Sequence, residues 1–172
     1  MQTFLPQSDF AVSASMLDNK RLNKQILEGY QILNVLSGNS PTGGWRNHPA
    51  VLMWKGSEWM LNEYVYAMIE EARSRNIKVD KNQENMKLLK RKFGKNWGKD
   101  IPKWFRDEKK LLRVVTTHRA NLFKKDPIYY VHFQYATNSI NNTPCCPERK
   151  LPCKYYWPTH EKVLDSNFVV NK

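Results

Sequence analysis

The stretch LDNKRLNKQILEGYQIL, residues 17–33, carries one carboxylate, Glu28, downstream of Lys20, Arg21 and Lys24. At 100° per residue, Arg21, Gln25 and Glu28 fall within about 60° of one another, on a helix edge beside the apolar stripe. Partial burial there favours a neutral carboxyl and a nearby guanidinium favours the charged form. A group under opposed influences of this kind can serve as an acid or base. The same spacing describes a surface ion pair of Glu28 with Lys24 or Arg21, worth roughly a few tenths of a kcal/mol. Helix geometry alone favours the ion pair.

Other chemistry-bearing residues point to phosphate and base contacts. GGWRNHP is a loop ahead of a helix start, offering backbone donors together with Arg46, Asn47 and His48. Trp45 beside them either stacks on a base or anchors the loop. In THRAN, His118 reads equally as a hydrogen-bonded core histidine or, with Arg119 and Asn121, as a phosphate contact. Residues 81–125 hold fifteen Lys and Arg against four Asp and Glu, so nearly all of the formal +12 lies in that region. Lys90, Arg91, Lys92 and Lys95 form its densest part, interleaved with Phe93 and Trp97. Cations that release condensed counterions and aromatics that stack on bases suit a nucleic-acid footprint, whereas a solvated lysine-rich face would explain the charge alone.

Several chemistries lack support. No two of His48, His118, His132 and His160 stand four apart, and the chain has no G-x-S-x-G, no Walker loop and no dinucleotide fingerprint. Cys145, Cys146 and Cys153 are odd in number and confined to one segment, which argues against a disulfide framework. Adjacent cysteines suit tetrahedral zinc poorly even with His160, so free thiols and no metal are expected. MQTFLPQSDF lacks the basic and apolar regions of a signal peptide, and no window holds eighteen apolar residues; a soluble, cytoplasmic protein is expected.

The elements that must position these residues are helical. Pro6, Ser8 and Asp9 predict an extended start, with a helix beginning between Ser13 and Asp18. Its stripe is Leu22, Ile26, Tyr30, Leu33 and Leu36, with Gly29 where a neighbour can approach closely. SGNSPTGG ends it. A second helix is predicted from Pro49 to about Asn76, kinked at Gly56, with the seam Leu61, Val65, Met68 and Ala72. A shorter helix covers 82–93, and GKNWGKDIPKW reads as a surface loop. Asp107 caps a further helix with the seam Leu111, Val115, His118 and Leu122, ended by Pro127. The class is all-α: a single compact helical domain over 1–135, with a loop-rich C-terminal extension, 136–172, laid over it.

Taken in order, MQTFLP, LDNKRLNKQILEGYQIL, GWRNHPAVLMW, HRANLFKKDPIYYVHF and YYWP resemble the pyrimidine-dimer DNA glycosylases of the endonuclease V type, in their phage or bacterial branch. The similarity spans most of residues 1–133. It implies a compact all-α enzyme that cleaves the N-glycosidic bond of a damaged base. The nucleophile in that family is an N-terminal α-amine, and a helix-borne glutamate is its partner. The family's leucine, glutamate and catalytic glutamate fall on Leu22, Gln25 and Glu28, while Leu27 replaces an arginine. Arg21 falls close to a histidine that contacts DNA. Counting back from Leu5 puts Met1 at the nucleophile, since Gln2 is too large for ordinary methionine removal; an α-amine is partly unprotonated near neutrality.

The implied reading is a DNA glycosylase with AP-lyase activity, using Met1 and Glu28, supported by Gln2, Arg21, Lys24 and Gln25. It acts without a cofactor on double-stranded DNA carrying a damaged pyrimidine, as a monomer away from membranes. If the amine is blocked, activated water with Glu28 as base replaces it, without a lyase step. The changes at Gln25 and Leu27 leave room for another modified base as substrate, and a catalytically inert DNA-binding or inhibitor protein is the alternative of a different class.

Overall fold

The computed structural model describes residues 1–136 and 155–159, and every regular element among them is a helix. The expected all-α class is observed. The three cysteines, His160 and most of the C-terminal extension lie outside the described residues. The chain divides into two units, one of Met1–Phe4 with Asp9–Pro102, the other of Leu5–Ser8 with Lys103–Lys172. No described helix is long and apolar enough to cross a membrane.

In the first unit two aspartates set two helices where one was predicted. Asp9 accepts the Val12 amide and opens α1, Phe10–Met16; Asp18 accepts the amides of Lys20 and Arg21 and opens α2, Asn19–Leu36. Leu17 and Asp18 between them are extended, so the helix cannot run through. Arg75 takes the carbonyls that α1 leaves open. Its guanidinium donates to the oxygens of Leu17 at 2.6 Å and Ser15 at 3.0 Å, while Glu71 holds it at 2.7 Å.

The α2 stripe buries Leu22, Ile26 and Leu33 completely, as its spacing requires, with Ile32 beside them. Tyr30 and Leu36 are only partly covered. Opposite it packs α4, Glu58–Ser74, whose seam of Leu61, Val65, Met68 and Ala72 is fully buried as predicted. Gly29 permits this approach, because a Cβ there would overlap the Val65 side chain. The predicted long kinked helix is instead α3, Pro49–Leu52, then a turn, then α4. Gly56 in that turn has φ +82°, and the Glu58 carboxylate ties it by accepting the amides of Gly56 and Gly98 at 3.0 and 2.7 Å. Next comes α5, Asp80–Phe93, and then a 3-10 turn at Gly94–Asn96. Trp97 departs from the surface-loop expectation: it is buried, and its indole donates to Ser37 Oγ at 2.8 Å.

In the second unit α6 spans Lys103–Arg106 and α7 spans Glu108–Lys125, opened by Asp107 as predicted. Val115, His118 and Leu122 of the expected seam are buried and Leu111 is partly so. The aromatic turn after Pro127 includes a 3-10 segment, Val131–Phe133, with Phe133 stacked on Tyr130 at 5.9 Å.

Gly29→Ala should destabilise the protein by about 1 to 3 kcal/mol, the cost of overpacking a closed contact. Adding Val65→Ala should restore part of that loss in a urea-unfolding double-mutant cycle. Independent, additive losses would mean that the Gly29–Val65 contact does not set the α2–α4 approach.

Candidate active site

An extended segment buried among helices has no strand to receive its amides, so side chains must. The Gln2 amide donates to Glu28 Oε2 at 2.9 Å, and the Phe4 amide donates to Gln25 Oε1 at 2.7 Å. Between them the Thr3 amide uses the Gln2 side chain at 2.8 Å, and Thr3 Oγ1 accepts from the Trp54 indole at 3.0 Å. The Tyr64 hydroxyl lies 2.7 Å from the Phe4 carbonyl and 2.9 Å from Gln25 Oε1. Burial, and then the Glu28 charge, push the Tyr64 pKa well above its ordinary value, so the hydroxyl remains a donor. Met1–Phe4 is thereby seated along α2.

Glu28 and Gln25 sit one turn apart on α2 and bring the chain start to the carboxylate. The α-nitrogen of Met1 is three covalent bonds from the amide that Glu28 holds. Met1 and Glu28 line one cleft of about 510 Å³, together with Asn34, Asn39, Ser40 and Trp45 among others. Glu28 is not the surface group that helix geometry favoured, as its side chain is only 12% exposed. The Lys24 partnership is present but long, at 3.7 Å, and Lys24 itself is 64% exposed. Such a pair contributes little.

Other supporting residues are placed differently from expectation. Arg21 pairs with Asp18 at 3.4 Å, within the cap of its own helix. Gln25 is fully buried, so its amide acts on Phe4 and Tyr64 and not at a surface. Its Nε2 has no hydrogen-bond partner among the described residues. Gln25 therefore bears on how the N-terminal segment is held. Leu27 on the same helix is half exposed.

The GGWRNHP loop stands at the cleft. Trp45, Arg46 and Asn47 are exposed, and Arg46 Nε donates to the Gly43 carbonyl at 2.9 Å. His48 Nδ1 accepts the Ala50 amide at 3.1 Å and so caps α3. Burial and the Met1 ammonium lower the His48 pKa, with Glu28 acting in the opposite sense; the ring senses both members of the pair. On α5 Arg91 and Lys92, and after it Lys95, are exposed, while Lys90 is partly covered with its ammonium 4.4 Å from the Trp59 ring centre. Lys92 Nζ reaches 3.5 Å from Asn39 Oδ1, which brings the basic helix to the cleft wall.

His118, Arg119 and Asn121 belong to the second unit, and two of the three are not available to a phosphate. His118 is fully buried and accepts the Leu5 amide on Nδ1 at 2.9 Å; Asn121 is buried and donates to the Thr117 carbonyl at 2.9 Å. The half-covered Arg119 donates to the Pro6 carbonyl at 2.6 Å with its guanidinium 5.5 Å from the Phe133 ring centre. The core reading of His118 is the one its burial supports.

Residues 1–85 match the sequence model of the pyrimidine dimer DNA glycosylase family. They belong to that family. The matched span contains Met1, the whole of α2 with Glu28, the GGWRNHP loop and α4. No curated protein and no solved structure matches the chain. Sequence reasoning missed Thr3, Trp54 and Tyr64, which fasten the segment, and Gln31, Asn34, Asn39 and Ser40, which line the cleft. Nothing local marks them: Tyr64 meets Gln25 across 39 residues.

Two outcomes follow. Gln25→Leu leaves the Phe4 amide without its acceptor, and urea unfolding should show a loss of about 1 to 3 kcal/mol; an unchanged midpoint would refute the clamp. His118 gives a pH dependence. Burial lowers its pKa from 6.5 to about 3, so between those values the unfolded chain binds more protons than the folded protein. That contribution to stability is complete above pH 6.5 and is lost as the pH falls towards 3. At pH 5 the loss is about 2 kcal/mol relative to pH 7, and His118→Gln should lack this part of the decline.

Proposed function

We propose that the protein is a DNA glycosylase with an associated AP-lyase step, in which the Met1 α-amine is the nucleophile and Glu28 moves the protons. One observation carries this reading: the Gln2 amide bonds to the buried Glu28 carboxylate, with Met1 and Glu28 lining a common cleft. The family to which residues 1–85 belong supports DNA as the substrate and base excision as the reaction class. A damaged pyrimidine in a duplex, including the dimer, is the substrate we infer.

The unprotonated amine attacks C1′, the glycosidic bond breaks, and the base leaves with the bonding pair and takes up a proton. Ring opening at C1′–O4′ leaves a protonated Schiff base between Met1 and the sugar. Loss of a C2′ proton then drives elimination of the 3′ phosphate by cleavage of C3′–O. Glu28 is the group placed to give and take protons in these steps, in a setting where one carboxylate oxygen is held by Gln2 and the other lies towards Lys24. The cations Arg46, Arg91, Lys92 and Lys95 suit the phosphates flanking a nucleotide that has been drawn out of the stack.

Borohydride reduction in the presence of a duplex with one abasic site should trap a covalent adduct whose peptide mass maps to Met1. Glu28→Gln keeps an acceptor for the Gln2 amide and should fold, yet lower strand cleavage by about 10²- to 10⁴-fold. No adduct from the unmodified protein, or full activity in Glu28→Gln, would sink the mechanism.

A further inference from the structure

We propose that Tyr155, fastened to α7 through its neighbour Tyr156, is a positioning residue for the N-terminal segment, acting through the buried His118 that receives the Leu5 amide. This rests on the glycosylase reading, since the segment so secured is the one that begins with Met1. Tyr155, Tyr156 and His118 all lie beyond the span 1–85 that matches the family model.

Leu5 and Pro6 belong to the second unit, where α7 takes their polar groups. The Leu5 amide donates to His118 Nδ1 at 2.9 Å, and the Pro6 carbonyl accepts from Arg119 Nε at 2.6 Å. The first of these bonds needs a neutral imidazole, because a proton on Nδ1 would leave two donors facing each other. Burial supplies that condition by lowering the His118 pKa to about 3. Whatever keeps water from the imidazole therefore preserves the acceptor for Leu5.

The YYWP motif contributes to that cover. The Tyr155 ring meets the imidazole edge-on, with 5.8 Å between ring centres. Tyr155 is itself only partly buried, so its own contacts would tether it loosely. Tyr156 provides the anchor. It is 1% exposed, its ring centre lies 3.9 Å from the Arg113 guanidinium carbon, and its amide donates to Thr117 Oγ1 at 3.3 Å. Arg113 and Thr117 stand one turn apart on α7, and His118 follows Thr117 directly. Trp157, with its ring centre 5.6 Å from that of Tyr155, packs on the other side. The segment is thus pinned at its middle residue and presents one ring to the imidazole. A continuous route of contacts then runs from Tyr155 to His118 to Leu5, and the backbone carries it on to Phe4 and Met1.

The test uses the full chain carrying Tyr155→Ala or Tyr155→Phe. Because Tyr155 is only partly buried both variants should fold, and amide hydrogen exchange at Leu61 in α4 provides the check. In Tyr155→Ala, exchange at the Leu5 amide should quicken about tenfold while Leu61 is unaltered. With an abasic duplex and borohydride, adduct formation at saturating duplex should slow about tenfold, at an unchanged half-saturating concentration. Tyr155→Phe, which keeps the ring, should restore both. Unaltered Leu5 exchange or unaltered adduct formation in Tyr155→Ala would overturn the proposal, as would equal losses in the two variants. Absence of an adduct from the unmodified protein refutes the glycosylase-lyase reading instead, and Leu5 exchange then judges the Tyr155 contact by itself.

Discussion

The structure depends on burying an extended chain start among helices. A backbone amide taken from water must be paired, at a cost of about 1 to 3 kcal/mol if it is not, and an all-helical core has no strand to pair it. The protein answers with side chains on α2, on α4 and in the turn after α3. Glu28 and Gln25 supply acceptors one turn apart, and Tyr64 and Trp54 complete the seat. In the second unit the same need recurs, where His118 receives the Leu5 amide and Arg119 caps the Pro6 carbonyl.

That constraint gives Glu28 two tasks. As an acceptor for Gln2 it fixes the place of residues 1–4; as a buried carboxylate sharing a cleft with Met1 it becomes a candidate acid and base. Gln25 has only the first task, because it is fully enclosed. A glutamine at that position serves the seat of the N-terminal segment alone. Seating the segment through side chains also fixes its register: sliding the chain by one residue would break the bonds of Gln2 and Phe4 together.

The charge distribution complements this arrangement. The basic residues of α5 surround their aromatic neighbours, with Lys90 over Trp59, and Lys92 comes to Asn39 at the cleft wall. The cations of α5 thus stand beside the cleft and not in its lining.

Periodicity fixed what is local. The buried parts of the α2 stripe and the α4 seam, the Asp107 cap and the close approach at Gly29 were all legible, because each depends on neighbours within a turn or two or on a missing Cβ. The order of short motifs pointed to Glu28, and the match over residues 1–85 agrees with that resemblance. Boundaries were less legible. A start anywhere between Ser13 and Asp18 includes the Asp18 cap but not the separate α1, because Arg75, which closes α1, is far away in sequence. Trp97 gave no sign of its burial, since its hydrogen bond to Ser37 crosses 60 residues. His118 was ambiguous for the same reason: a histidine on a seam can face a phosphate or accept a buried amide. The sequence by itself determined the helices and a short set of chemically able residues. Only the tertiary structure decided which of them meet, because the hydrogen bonds that bring Gln2 and Phe4 to Glu28, Gln25 and Tyr64 in the first unit, and Leu5 to His118 in the second, join positions that no local pattern relates.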